Sequence, residues 1–196
     1  MRIIAGTLRN REILTPKGDN TRPTSSKLRG ALFNMCQHSI EDANFLDICA
    51  GSGAMSFEAL SRGAKHATLI ENDSRALQVI KDNVKRFELE TSTTLLGVDA
   101  LKALQALEKE NKKFDICFID APYLKNKKEA LENSLIFKIL TFLDSSTLLD
   151  TSSALFVEDS SSALLTNITH KRIALKEKRP MGDSALFIYR IHSTSE

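Results

Sequence analysis

Apolar and polar positions follow two different periods along residues 44–191. Short, nearly continuous apolar runs suit buried strands, and between them apolar residues recur every three or four positions, as on one face of a helix. In the clearest helical segment, 74–87, Leu77 and Val84 share such a face. This alternation of strands and helices predicts a mainly parallel, doubly wound α/β sheet.

The pattern gives each element approximate bounds. The predicted strands are 45–49, 66–71, 93–96, 114–119 and 154–158. The predicted helices run from the glycine-rich turn at 50–53 to residue 62, and over 74–87, 101–110 and 128–142. Two β-prone stretches near the end of the chain predict a hairpin at a sheet edge. They are 170–176 and 185–191, joined through Pro180, Gly182 and Asp183.

The first 40 residues follow a different pattern. Two short β-prone pieces within residues 1–15 precede a run of turn formers. A helix is then predicted to begin with Thr24 or Ser25 as its N-cap and to continue to about residue 36. We therefore expect a small N-terminal extension over 1–40, with a hairpin-like segment and a helix, and a main domain over 41–196.

Composition is that of an ordinary globular protein. Of the 196 residues, 42% are hydrophobic and 27% are charged. No apolar run approaches the ~18 residues of a membrane span, and the first residues lack the apolar core of a signal peptide, so we expect a cytoplasmic protein with no membrane contact. The three cysteines, Cys36, Cys49 and Cys117, are far apart and predict neither a disulfide framework nor a metal site.

Charge is distributed unevenly along the chain. The net charge is +2, yet residues 1–40 hold seven Arg or Lys against Glu12 and Asp19, which makes +5 there and leaves −3 for the rest. A basic end on a nearly neutral body favours a polyanion such as RNA as partner, although an ordinary solvated surface would have the same composition. The predicted RNA-binding residues are Arg9, Arg11, Arg22 and Thr24.

The first strand of the main domain ends in a glycine-rich turn that opens a helix. Glycines there let the backbone approach a ligand closely. Acidic residues stand at the ends of the first three strands: Glu71 could accept both hydroxyls of a ribose, and Asp99 could meet an adenine amino group. The predicted cofactor-binding residues are Asp47, Ala50, Gly51, Ser52, Gly53, Glu71, Asn72, Asp99 and Ala100.

Two cofactors fit these residues. A dinucleotide favours the pattern G-x-G-x-x-G, and this sequence has Ser56 where the third glycine would stand. S-adenosylmethionine has no phosphates and needs only polar groups for its ribose, its adenine and its amino-acid end. The acids could also do no more than solvate the ends of the strands.

Asp120-Ala121-Pro122-Tyr123, directly after the apolar strand at 114–119, resembles the (Asp/Asn)-Pro-Pro-(Tyr/Phe) motif of amino methyltransferases. An exocyclic amine is a poor nucleophile because its lone pair is delocalised into the ring. If Asp120 and the carbonyl of Ala121 accept its two N–H groups, that lone pair stays directed at the methyl donor, while Tyr123 stacks on the flipped base. Ala121 replaces the first proline of the motif, which removes some rigidity but keeps the carbonyl, and Pro122 still favours an extended residue 121.

The glycine-rich turn at 50–53 and the turn at 120–123, with further blocks along nearly the whole chain, resemble the RsmD family of 16S rRNA guanine-N2 methyltransferases. The Arg22-Pro23-Thr24 block together with Asp120–Tyr123 is specific to this family. Other matching blocks are 1–6, 15–18, 31–34, 45–47, 50–54 and 58–64.

The resemblance implies a Rossmann-like fold with seven strands, the last of them antiparallel. It implies that S-adenosylmethionine is the methyl donor and S-adenosylhomocysteine the product, with no metal. It also implies, as substrate, the N2 amino group of one guanine in 16S rRNA within an assembled or assembling 30S subunit, and a monomeric enzyme.

Three alternatives stay open. An N6-adenine methyltransferase acting on DNA or RNA would use the same motif. An NAD(P)-dependent oxidoreductase would use the same kind of sheet, although Ser56 and the turn at Asp120 argue against it. A non-catalytic RNA-binding protein could retain the fold without turnover.

Overall fold

The computed structural model describes residues 1–16, 25–122, 131–163, 165 and 170–193. These residues divide into two compact units, Met1–Ala100 and Leu101–Glu196. The boundary that the sequence suggested, between residues 40 and 41, stays a prediction.

The first unit carries three strands that pair in parallel, in the order β3-β2-β1. The predicted bounds of its helices and strands are confirmed to within one residue. The strands are β1 (Asn44–Ile48), β2 (His66–Ile70) and β3 (Thr93–Leu96), and the helices are α1 (Ser26–Met35), α2 (Ala54–Ser61) and α3 (Ser74–Phe87).

Side-chain caps explain why two of these helices begin where the sequence predicts. The hydroxyl of Ser25 accepts a hydrogen bond from the Leu28 amide at 3.1 Å, which confirms Ser25 as the N-cap of α1. Asp73 caps α3 in the same way, accepting from the amides of Arg75 at 2.9 Å and Ala76 at 3.1 Å. Both caps satisfy amides that would otherwise have no partner in the first turn.

The second unit begins within a helix and carries four strands. Strands β4 and β5 are parallel, and the last strand, β7, is antiparallel to both of its neighbours, β5 and β6. Its elements are α4 (Ala100–Lys109), β4 (Ile116–Ile119), α5 (Leu135–Ser145), β5 (Ala154–Ser160), β6 (Ile173–Met181) and β7 (Ser184–Ile191). The predicted terminal hairpin is confirmed, and its strand β6 lies at the sheet edge.

All seven strands belong to one mixed sheet, in the order β3-β2-β1-β4-β5-β7-β6. Five of them, β1, β2, β4, β5 and β7, are almost entirely buried. This burial explains why their sequences are continuous apolar runs rather than alternating ones. The α/β fold with an antiparallel last strand is therefore confirmed.

One predicted helix begins later than the sequence suggested. The helix predicted over 128–142 is wrong at its start: Leu131–Asn133 form a 3-10 turn, and α5 begins only after Ser134. The hydroxyl of Ser134 accepts from the Phe137 amide at 3.0 Å, so this residue is the N-cap. Residues 128–130 lie outside the described part of the chain.

Residues 1–16, called here the N-terminal segment, form no strand. The two β-prone pieces meet in a single antiparallel bridge between Arg2 and Glu12. Between them the chain turns through Gly6 and Asn10, both with positive φ. Ile3 and Ile13 are each only 1% exposed, so the segment is packed against the first unit rather than extended into solvent.

Within the described residues, no helix is both long and apolar enough to cross a membrane. Over the same part of the chain, no group of acidic, histidine or cysteine side chains is arranged to hold a metal ion.

Candidate functional site

The glycine-rich turn between β1 and α2, residues 49–53, has the backbone of a ligand-binding loop; we call it the cofactor loop. Cys49, Gly51 and Gly53 all have positive φ, at 65°, 56° and 76°. A Cβ at Gly53 would lie 2.7 Å from the Phe57 ring, whereas a Cβ at Gly51 would meet nothing within 4 Å. A side chain at position 53 would therefore clash with Phe57, so glycine is needed there, whereas the space beside Gly51 is open.

Glu71, at the end of β2, holds this loop in place. One carboxylate oxygen accepts from the Gly51 amide at 2.8 Å, and the other accepts from the amides of Asn72 at 2.8 Å and Asp73 at 2.9 Å. A carboxylate accepts about four hydrogen bonds, so Glu71 has capacity for about one more. The side chain that the sequence assigned to a ribose therefore also shapes the loop.

Asp47, inside β1, is buried, with 1% of its surface exposed. Its carboxylate accepts from the Ser56 hydroxyl at 2.7 Å and from the Ser56 amide at 3.2 Å. Burial raises the pKa of Asp47 to about 7, although the hydrogen bonds from Ser56 oppose that rise. Ser56, at the position where a dinucleotide-binding chain would have its third glycine, thus joins β1 to the first turn of α2.

The other predicted cofactor residues lie at the ends of β2 and β3. The Glu71 amide donates to the Leu96 carbonyl at 3.1 Å, which sets the ends of these strands side by side. Asn72 and Asp99 are exposed, and Ala100 is 6% exposed. The structure thus joins Glu71 to the cofactor loop by a hydrogen bond and Asp47 to Ser56 in the helix that follows the loop, and it leaves Asp99 on an exposed turn after β3.

In the second unit, the predicted catalytic turn follows β4. Asp120 is partly exposed, Ala121 is 1% exposed and Pro122 is exposed, while Tyr123 lies outside the described residues. A buried Ala121 at this point leaves little room for a larger side chain. The roles assigned to Asp120–Tyr123 stay predictions.

Sequence reasoning missed two acids at the end of the neighbouring strand. Ile119 pairs with Val157 in parallel register, so continuing that register by one residue sets Asp120 beside Glu158. Glu158 and Asp159 are only 6% and 9% exposed, and burial raises the pKa of Asp159. The available signal was the acidic pair that ends an apolar strand in the sequence 154–160.

The predicted RNA-binding arginines differ from each other. Arg9 is exposed on the N-terminal segment. The Arg11 guanidinium lies 4.8 Å from the centroid of the Phe87 ring and donates to the Arg86 carbonyl at 2.5 Å, at the end of α3. Arg22 and Thr24 lie outside the described residues.

Three buried polar residues to which the sequence assigned no role of their own fasten the N-terminal segment. Glu58 accepts from the amides of Ile4 at 2.8 Å and Ala5 at 3.1 Å. The hydroxyl of Ser61 accepts from the Leu8 amide at 2.9 Å. Asn83 forms two hydrogen bonds with Leu14 and also contacts the Ser52 carbonyl of the cofactor loop.

The three bonds of Asn83 connect two regions of the first unit. Its side-chain oxygen accepts from the Leu14 amide, and its side-chain nitrogen donates to the Leu14 carbonyl, both at 2.9 Å. The same nitrogen lies 3.5 Å from the Ser52 carbonyl of the cofactor loop. The N-terminal segment and the cofactor loop are therefore joined through one side chain that is fully buried.

Known proteins resemble this chain over most of its length. The family described as "Conserved hypothetical protein 95" matches residues 1–190. The YlbH protein of Bacillus subtilis is 37% identical over 131 residues, which cover 67% of this chain and 71% of that protein. Ribosomal RNA small subunit methyltransferase D of Buchnera aphidicola is 34% identical over 146 residues, covering 69% of this chain and 75% of that one.

The likeness extends to a solved structure. The protein yhhF of Escherichia coli superposes with a TM-score of 0.82 at 29% sequence identity, and the match covers 98% of each chain. Sequence and fold thus agree from the N-terminal segment to the last strand, and the chain belongs to the RsmD family of methyltransferases.

Proposed function

We propose that this methyltransferase transfers a methyl group from S-adenosylmethionine to the exocyclic N2 amino group of a guanine in 16S rRNA of the small ribosomal subunit. The observation that carries the proposal is the turn Asp120-Ala121-Pro122 at the end of the buried strand β4, in a chain of this family. The Buchnera relative, named for small-subunit ribosomal RNA, supports the RNA class.

The first unit offers a binding site that suits S-adenosylmethionine. The cofactor loop has open space at Gly51, and Glu71 has capacity for about one more hydrogen bond, which suits a ribose hydroxyl. Ser56 takes the place of the glycine that a pyrophosphate-binding turn would use. When bound, the cofactor supplies an electrophilic methyl group on a positively charged sulfur.

In the second unit, the catalytic turn orients the nucleophile. The carboxylate of Asp120 and the carbonyl of Ala121 accept the two N–H groups of the amine and keep the nitrogen lone pair directed at the methyl carbon. With the cofactor bound, Asp120 and Ala121 would hold the amine while the cofactor supplied its methyl group, and water would take the proton released from nitrogen. Positioning of this kind lowers the barrier by up to ~7–11 kcal/mol in favourable cases.

The decisive experiment is transfer of labelled methyl groups to purified, unmethylated small subunits, with the product identified by mass spectrometry. We expect N2-methylguanine. N6-methyladenine as the product would show that the protein is an adenine methyltransferase. Cofactor binding without any methyl transfer would indicate a non-catalytic RNA-binding protein. Tight NAD binding in a calorimetric titration would favour the oxidoreductase.

Asp120→Ala tests the proposed chemistry directly. Without the carboxylate the amine loses one acceptor, so turnover should fall by ~10²-fold or more, as when a key oriented contact is removed. S-adenosylmethionine binding should stay near that of the wild type, because the cofactor loop is intact. Asp120→Asn, which keeps an acceptor oxygen, should retain partial activity, and full activity in Asp120→Ala would show that this turn is only structural.

A further inference from the structure

A cavity lies in the first unit, away from the cofactor loop. It is open to solvent, has a volume of about 690 Å³, and lies between the N-terminal segment and the first turn of α1. None of residues 49–53, nor Glu71, lines it. Its walls include Arg2, Arg9, Asn10, Ser25, Ser26 and Arg29.

The lining of this cavity is basic. Three arginines contribute to it, and among the described residues that line it there is no aspartate or glutamate. Neutral hydrogen-bonding groups, the Asn10 amide and the hydroxyls of Ser25 and Ser26, stand among the arginines. Guanidinium groups beside neutral donors are the usual surroundings of a bound phosphate.

One of these arginines is held rigidly. Arg29 is 1% exposed, donates to the Arg2 carbonyl at 2.8 Å and contacts the sulfur of Met1. Burial lowers the pKa of Arg29, and the charge of Glu58 opposes that shift. An arginine remains charged in such surroundings, so the inner wall carries a fixed positive charge.

The other two arginines stand at the open side. Arg2 and Arg9 are both exposed, and Arg2 donates to the Asn10 carbonyl at 3.3 Å. For the Arg9 side chain, the structure records no hydrogen bond or ion pair with any described residue. Their guanidinium groups can therefore turn towards a ligand with little loss of internal bonding.

The start of α1 adds to this potential. Partial positive charge collects at a helix N-terminus, and the first turn of α1 contains no acidic residue that would offset it. The cavity is open rather than enclosed, so a phosphate that belongs to a continuing chain can enter it.

We propose that this cavity binds a backbone phosphate of the rRNA substrate, with Arg2 and Arg9 contacting the anion and Arg29 fixing the charge of the wall. This inference rests on the proposed function, because it assumes an RNA substrate. The inference adds Arg2 and Arg29 to the proposed RNA-binding residues. It keeps Arg9, which lines the cavity, and leaves out Arg11, which packs on Phe87.

The test uses the full chain with Arg2→Gln, Arg9→Gln and the double variant, and Arg190→Gln as the matched control. Arg190 is an exposed arginine on β7 in the other unit. Binding to unmethylated small subunits is measured at several salt concentrations. We expect about tenfold weaker binding in the double variant and a salt slope reduced by about one unit per lost contact, with the control within twofold of wild type.

Three outcomes, two from this binding measurement and one from a titration with inorganic phosphate, separate the possible failures. If the wild type binds subunits with a clear salt slope but the double variant behaves like Arg190→Gln, the cavity proposal is overturned and the proposed function stands. If the wild type binds no RNA, the proposed function fails. Inorganic phosphate that binds the wild type tightly without displacing RNA would make the cavity a site for free phosphate and would also overturn the inference.

Discussion

Two buried glutamates hold two regions of the first unit by the same chemistry. Glu58, in α2, accepts from two consecutive amides of the N-terminal segment, at 2.8 and 3.1 Å. Glu71, after β2, accepts from the Gly51 amide of the cofactor loop and from the amides of the two residues after itself, Asn72 and Asp73, at 2.8–2.9 Å. In both cases a carboxylate fixes the path of a backbone that has no regular structure of its own.

The difference between them lies in how completely each carboxylate is neutralised. Glu58 is fully buried and forms an ion pair with Arg62, whose Nε lies 2.7 Å from it. Glu71 is 9% exposed, and no arginine or lysine pairs with it within the part of the chain that the structure describes. The Glu58 carboxylate is fully enclosed and paired with a cation, whereas the Glu71 carboxylate has no such cation among the described residues and keeps capacity for about one more hydrogen bond, so it can still accept from a ligand.

Glu58→Ala should have the largest effect on stability. It removes the acceptor of two partly buried amides and leaves Arg62 without its partner. Breaking a fully buried ion pair costs about 3–5 kcal/mol, and because the Arg62 side chain is 16% exposed we expect a loss of about 3 kcal/mol. Chemical denaturation should show the loss. A free energy of unfolding within 1 kcal/mol of wild type would mean that the N-terminal segment is held by apolar packing instead.

Glu71→Ala should weaken S-adenosylmethionine binding about tenfold or more, because the proposed charge-assisted hydrogen bond to the ribose would be lost together with the bond to Gly51. Calorimetry measures the affinity. Glu58→Ala, tested where it is still folded, is the control and should bind the cofactor nearly normally. Equal losses of cofactor affinity in the two variants would contradict the proposal that only Glu71 contacts the ligand.

Asp47→Asn tests a third buried carboxyl in the same unit. Because burial raises the pKa of Asp47 to about 7, its contribution to stability is present at pH below about 4 and is lost as pH rises to about 7. Asn still accepts from Ser56 but carries no charge. At pH 8 the variant should therefore melt a few degrees above wild type, since 1 kcal/mol corresponds to about 2–4 °C at this size.

The advantage of Asp47→Asn should disappear at pH 4, where the wild-type carboxyl is also neutral. Thermal melts at the two pH values measure it. The same advantage at both values would show that ionisation of Asp47 is not what lowers the stability of the wild type.

Arg11→Gln should have the smallest effect. An exposed guanidinium over an aromatic ring contributes about 0.5–1 kcal/mol, so a slightly lower melting temperature is expected from the loss of the Phe87 contact. The salt slope of RNA binding should not change, in contrast to Arg9→Gln. A reduced slope would show that Arg11 leaves Phe87 to contact phosphate.

The elements and their order follow from local sequence patterns. The apolar period of three to four predicted helix α3 to the residue, and the structure adds a capping aspartate just before it. The buried strands were recognisable as continuous apolar runs, and the positive φ at Gly51 and Gly53 follows from glycine in a tight strand–helix turn. These features depend on neighbours within a few residues, which a sequence displays directly.

Which polar groups meet depends on how the chain packs. Glu58 reaches Ile4 across 54 positions, and Asn83 reaches Leu14 across 69, and the sequence assigned a role to neither of these two side chains. The sequence does not show which of Arg9 and Arg11 packs on an aromatic ring, because that depends on where the chain places Phe87; in the structure the residue over Phe87 is Arg11. A hydrogen bond or ring contact depends on where distant backbone is brought by packing, and no local period in the sequence encodes that position.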